Sequence, residues 1–166
     1  MLPAIYCFVA FELFFVSWGD LKRQKIPNYW SLLNLTLFVA FVIFIPDYYK
    51  LTLESFSFSI AFLVVGFFLF LTNIMGGGDS KFLATFFLIV PLSLQEELFY
   101  YLILSTLIIG GLFFLKSVVL NFRKLYQALI IQDVQTVKKC FGGKFPYAPV
   151  IMFSWVWLGY SLYLKN

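Results

Sequence analysis

Residues Leu2–Trp18 read LPAIYCFVAFELFFVSW, and the chain then changes character to GDLKRQKIPN over Gly19–Asn28. The first stretch is apolar and aromatic apart from one carboxylate, Glu12. A transmembrane helix needs roughly 20 apolar residues, with a range of about 17–25. Leu2–Trp18 therefore predicts a first membrane span, and the basic cluster behind it predicts a loop at the membrane surface. No basic region precedes the apolar run, so it reads as a retained span and not as a cleavable signal peptide.

The same pattern continues outward along the chain. Of 166 residues, 62% are hydrophobic and 12% charged, against about 25% charged in an ordinary soluble domain. Further apolar runs lie at about Tyr29–Ile45, Phe56–Thr72, Ser80–Leu94, Leu98–Leu115 and Tyr147–Leu164. The expected architecture is all-α: one polytopic membrane domain over residues 1–166 with six transmembrane helices. The fourth run is short and ends near Pro91. At about 1.5 Å per residue it falls short of a ~30 Å hydrocarbon core. Between the fifth and sixth runs, Leu125, Leu129, Val134 and Val137 recur at roughly helical spacing among basic and polar residues. They predict an amphipathic helix on the membrane face, ended by Gly142 and Gly143.

Charge gives the orientation. Ten of the twelve basic residues (Lys22, Arg23, Lys25, Lys81, Lys116, Arg123, Lys124, Lys138, Lys139 and Lys144) fall on one side, and Lys50 and Lys165 on the other. The positive-inside rule places the basic loops in the cytoplasm and both termini outside. The net charge of +4 is thus a topology signal and implies no nucleic-acid partner. Histidine is absent, which removes the commonest metal ligand and the commonest general base near neutral pH. Cys7 and Cys140 form no CxxC pair.

Acid–base chemistry therefore falls to carboxylates. Asp47, Glu54, Glu96 and Glu97 are expected in short external loops and Asp133 among basic residues, all solvated. Asp20 and Asp79 differ from these. Each follows a glycine at the predicted cytoplasmic end of a span, in WGDLKRQKIPN and in NIMGGGDSKFLA (Asn73–Ala84). Two carboxylates in one partly dry site cannot easily both ionise. One keeps a proton while the other stays charged, which is how aspartyl proteases activate water and protonate the leaving amine. The structural alternatives are a helix cap for Asp79 and an ion pair with Lys22 or Arg23 for Asp20. Gly76, Gly77 and Gly78 lack Cβ, so the backbone there can take positive φ and approach another chain closely, as a substrate segment would require. Glu12 lies about 80° around the helix from Asp20. It is either a functional intramembrane acid or a hydrogen-bonded packing residue.

These segments together resemble the type IV prepilin peptidases. GGGDSK is similar to that family's GxGDxK pattern, with Gly76, Gly78, Asp79 and Lys81 on the fixed positions. DLKRQKIPN resembles its first aspartate motif through Asp20, Lys22, Lys25, Ile26, Pro27 and Asn28, and FPYAP (Phe145–Pro149) its proline–aromatic segment at Pro146, Tyr147 and Pro149. The resemblance implies a membrane aspartic endopeptidase of the cytoplasmic (inner) membrane. It would cut the leader from prepilin- or pseudopilin-like precursors, with Asp20 and Asp79 catalytic, Lys81 supporting and no cofactor or metal. The chain departs from the larger members. Asp20 follows the first span directly, and the paired CxxC motifs that accompany N-methyltransferase activity are missing. It resembles instead the short forms of tight-adherence pilus systems and the archaeal preflagellin peptidases. Competing readings are a broader GxGD intramembrane protease of the presenilin-like kind and a small transporter that uses Glu12, Asp20 and Asp79 as ion sites.

Overall fold

The computed structural model describes residues 3–72, 75–131, 133 and 145–163. Among them the chain forms seven α-helices and one short 3-10 turn. The helices are α1 (Pro3–Arg23), α2 (Asn28–Phe44), α3 (Ser57–Leu71), α4 (Gly77–Leu88), α5 (Leu92–Leu120), α6 (Phe122–Ile131) and α7 (Ala148–Tyr163); the turn, Leu53–Phe56, leads into α3. The all-α expectation holds, and the apolar surface is that of an integral membrane protein. Large side chains such as Phe11, Leu35, Ile43, Phe68, Leu107 and Phe153 face outward, where lipid and not water suits them.

The lengths differ from six full spans. Three helical stretches, Pro3–Arg23, Leu53–Leu71 and Leu92–Leu120, are long and apolar enough to cross a membrane. α2 has 17 residues, α7 has 16 and α4 only 12. The predicted run Ser80–Leu94 is not one helix. Pro91 is extended (φ −54°, ψ 141°) and begins α5, and a residue before proline is pushed out of helical geometry. α4 therefore stops at Leu88, while Leu92–Leu94 become the first turn of a 29-residue α5. Gln95 closes the break. Its amide nitrogen donates to the carbonyls of Phe87 at 3.0 Å and Val90 at 3.1 Å, on either side of the end of α4.

α4 can be short because protein surrounds it. Phe82, Phe86 and Phe87 are fully buried, and Leu83 and Ala84 nearly so. α4 packs against α2 and α3, and α7 packs against α1 and α5. Phe86 of α4 meets Trp155 of α7 edge to face at 5.5 Å. Two short central helices thus stand back to back, each flanked by longer ones. Reciprocal bonds clamp α1 to α7. The Trp155 indole N–H donates to the Tyr6 carbonyl and the Tyr6 hydroxyl to the Trp155 carbonyl, each at 3.2 Å, with the rings stacked at 5.2 Å. Gly159 makes the approach possible, since a Cβ there would run into the Tyr6 hydroxyl.

Two sequence expectations need correction or bounds. Glu97 is not a solvated loop acid. It lies in α5 and accepts from the Ser161 hydroxyl at 2.6 Å and from the Tyr101 hydroxyl at 3.2 Å, which ties α5 to α7. Of the predicted amphipathic segment, Phe122–Ile131 is helical as α6. Val134, Val137, Cys140, Gly142 and Gly143 lie outside the described residues.

Candidate active site

α1 carries Asp20 almost to its end. Gln24 then stops the helix: its φ is +50°, and its N–H donates to the Asp20 carbonyl at 2.7 Å. That left-handed turn costs a non-glycine residue roughly 1–2 kcal/mol, and it swings Lys25–Asn28 back toward the bundle. The Asp20 side chain is only 2% exposed. Its Oδ2 accepts a hydrogen bond from the backbone N–H of Ala148, the first residue of α7, at 3.0 Å. The neighbouring Tyr147 N–H is also directed at it. The first N–H groups of a helix have no internal partners and carry the positive end of its dipole, so they suit an anion. Pro146 and Pro149 bracket these two donors, fix the backbone by their rings and offer no N–H of their own.

Asp79 is the third residue of α4 and is half-buried. Its Oδ2 accepts from the Gly76 N–H at 3.2 Å. The cap expected of Asp79 therefore exists, formed from inside the first turn and not from the residue before it. Asp79 also lines a cavity of about 760 Å³ with Gln24, Phe62, Gly66, Leu83, Thr106, Gly110, Phe113 and Tyr147 among its walls. The Tyr147 hydroxyl lies 3.3 Å from the Thr106 hydroxyl, and both residues line this cavity. The Tyr147–Ala148 segment thus borders both aspartates: the Ala148 N–H holds Asp20, and Tyr147 lines the cavity that Asp79 also lines.

The glycines do something different from the sequence expectation. No described glycine has a positive φ. Gly78 is used for close approach, because a Cβ on it would run into the carbonyl oxygen of Ile26. The space beside Gly78 is filled by the chain's own IPN segment, so the two aspartate motifs are pressed together there. A Cβ on Gly77 would meet the Phe70 ring at an ordinary 3.5 Å, and one on Gly76 would come within 2.9 Å of the Asp79 carboxylate.

The other predicted residues divide. Pro27 is the extended residue (φ −67°, ψ 146°) before α2, and Asn28 is the first residue of α2. Pro146 is buried, and Pro149 is half-buried in the first turn of α7. Lys22 points away from the site, with its ammonium 4.7 Å from the centre of the Trp18 ring. Lys81 is exposed and lines a separate groove. Glu12 is buried between α1 and α2 beside Asn34, which is fully buried. With its amide nitrogen turned inward, Asn34 donates to both Glu12 oxygens at 2.9 and 3.1 Å. Among the described residues no three His, Cys, Asp or Glu side chains cluster as metal ligands. Sequence reading missed Gln24, Thr106 and the Ile26 carbonyl. Gln24 and Ile26 stand inside the first motif, and Thr106 is a lone hydroxyl in an apolar helix; only packing reveals their part.

Comparison with protein families matches residues 7–115 to the type IV leader peptidase family. The chain belongs to that family. It is a peptidase embedded in the membrane by apolar helices. The match takes in Asp20, Ile26–Asn28 and Gly76–Lys81 but ends within α5, so α7 joins the site through its hydrogen bond to Asp20. No match was found among curated proteins or among solved structures.

Proposed function

We propose that this leader peptidase is an aspartic endopeptidase using Asp20 and Asp79, and that it removes the leader of type IV prepilin-like or preflagellin-like precursors at the cytoplasmic face of the membrane. The observation that carries the reading is that Asp20 is held by the start of α7 while Asp79 lines a cavity together with Tyr147 of that same segment. Water held between the aspartates loses a proton to the ionised one as its oxygen adds to the peptide carbonyl carbon. The protonated aspartate then gives its proton to the departing amine as the C–N bond breaks. The two exchange roles between turnovers. Neither step calls for a metal or cofactor.

Substrate class follows from the cavity. Apart from Asp79, Gln24 and a few hydroxyls, its walls are Phe62, Val65, Leu69, Phe113 and Phe145. Such a surface suits an apolar stretch of polypeptide beside the bond being cut. The basic residues near Asp20, namely Lys22, Arg23 and Lys25, favour the cytoplasmic side. The missing CxxC motifs favour peptidase activity without N-methylation. Co-expression with a candidate prepilin tests the reading: wild type should shorten it by its leader on a gel, and Asp20→Asn and Asp79→Asn should not. Processing by either variant would rule out the aspartate pair.

A further inference from the structure

Two separate spaces border α4. α2 and α3 both pack on it yet make little or no contact with each other. The gap between them is a groove of about 820 Å³, distinct from the Asp79 cavity. Asp79 and Lys81 are two residues apart on α4, hence about 200° apart around it. The aspartate therefore enters one space and the lysine the other. In this second groove the walls are Leu32, Leu35, Ile60, Leu63 and Leu88, and its floor is Ala84 and Thr85. Polar groups gather at the end where α2 and α4 begin: Asn28, Ser31 and Lys81. The Ser31 hydroxyl oxygen is buried and has no hydrogen-bond partner. Lys81 makes no ion pair with the described residues.

We propose that this groove is a binding site for one anionic phospholipid. Its acyl chain lies along the leucines between α2 and α3, and its phosphate meets Lys81 and Asn28. Charge complementarity selects the occupant. A neutral apolar helix would leave the ammonium unmatched, whereas a phosphate accepts from it and from the Asn28 amide. The cation stands at the same end of the bundle as the basic loops, where anionic headgroups are attracted. In this site the lysine of GGGDSK anchors lipid to the back of the helix whose front holds Asp79.

The test uses the whole chain in nanodiscs of equal phosphatidylglycerol and phosphatidylcholine, released for native mass spectrometry. Wild type should retain one phosphatidylglycerol per chain. Lys81→Gln should lower the preference for it over phosphatidylcholine roughly fivefold, the worth of one basic residue near an anionic surface, and Lys81→Arg should keep it. Leu63→Trp or Leu35→Trp, which fill the groove from exposed positions, should retain neither lipid. Asp79→Asn should bind as wild type does, so the outcome is independent of the catalytic reading. Equal retention of the two lipids by wild type, or an unchanged preference in Lys81→Gln, would overturn the proposal. So would groove-filling variants that lose a bound second chain and no lipid.

Discussion

Asp20, near the end of α1, and Ala148, at the start of α7, stand 128 residues apart and are joined by a 3.0 Å hydrogen bond. The bond sets the N-terminus of the last helix against a carboxylate that is almost wholly removed from solvent. The asparagine substitutions follow from this geometry. In Asp20→Asn the amide oxygen can still accept from Ala148, and in Asp79→Asn from Gly76, so both variants should accumulate in the membrane. Cleavage should fall by a factor on the order of 10² to 10⁴, the usual range for loss of a general acid or base. Leader processing and membrane abundance, followed together on immunoblots, check this; lost abundance in step with lost cleavage would point to a structural role alone.

Tyr147 precedes the residue that holds Asp20 and lines the cavity of Asp79. Tyr147→Phe keeps the backbone N–H groups around Asp20 and removes only the hydroxyl beside Thr106 in the Asp79 cavity. Cleavage should drop about tenfold, the scale of one hydrogen bond of 1–1.5 kcal/mol, with kcat affected more than KM. Thr106→Val should give a smaller change in the same direction. Steady-state kinetics on a leader peptide decides the matter, and wild-type kcat in Tyr147→Phe would remove the hydroxyl from the mechanism.

Gly78 and Gly77 are adjacent but should respond differently. A methyl group at Gly78 meets the Ile26 carbonyl, and one at Gly77 meets Phe70 at ordinary contact distance. Gly78→Ala should separate the two aspartate motifs and lower cleavage more than tenfold, while Gly77→Ala stays within about twofold of wild type, in keeping with a cost below ~0.5 kcal/mol. Similar activity in the two variants would argue against the close approach.

Gly110 tests the cavity. It lines the space that Asp79 faces, and a Cβ there meets nothing within 4 Å. Gly110→Leu should therefore leave thermal unfolding in detergent unchanged or slightly raised and still impair cleavage, by taking up volume that the substrate needs. Full activity with a leucine in place would move the substrate path elsewhere.

The Glu12–Asn34 pair is a matter of stability. Asn34→Leu leaves a buried carboxyl without its partner and should cost about 1–3 kcal/mol, read as a lower unfolding temperature. Glu12→Gln can keep an amide-to-amide contact and should preserve most stability and most cleavage. A complete loss of cleavage in a folded Glu12→Gln protein would give Glu12 a part in the chemistry.

Composition and the order of apolar runs determined that this chain is helical and lives in a membrane, because a hydrocarbon solvent leaves a long apolar segment no other way to satisfy its backbone. The motifs marked Asp20 and Asp79, since carboxylates beside glycines at span ends stand out in apolar sequence. Helix length was less legible. A window of hydrophobicity assumes that lipid surrounds each run, whereas α4 is surrounded by protein and needs only 12 residues. Pro91 was visible, but not that it would hand Leu92–Leu94 to the next helix. Only the tertiary structure decided that Gly78 meets Ile26, that Ala148 holds Asp20 while Tyr147 shares a cavity with Asp79, and that Lys81 lines a different groove. Each of these rests on which helix packs beside which, and that is settled by side-chain fit across the whole bundle rather than by any local stretch of sequence.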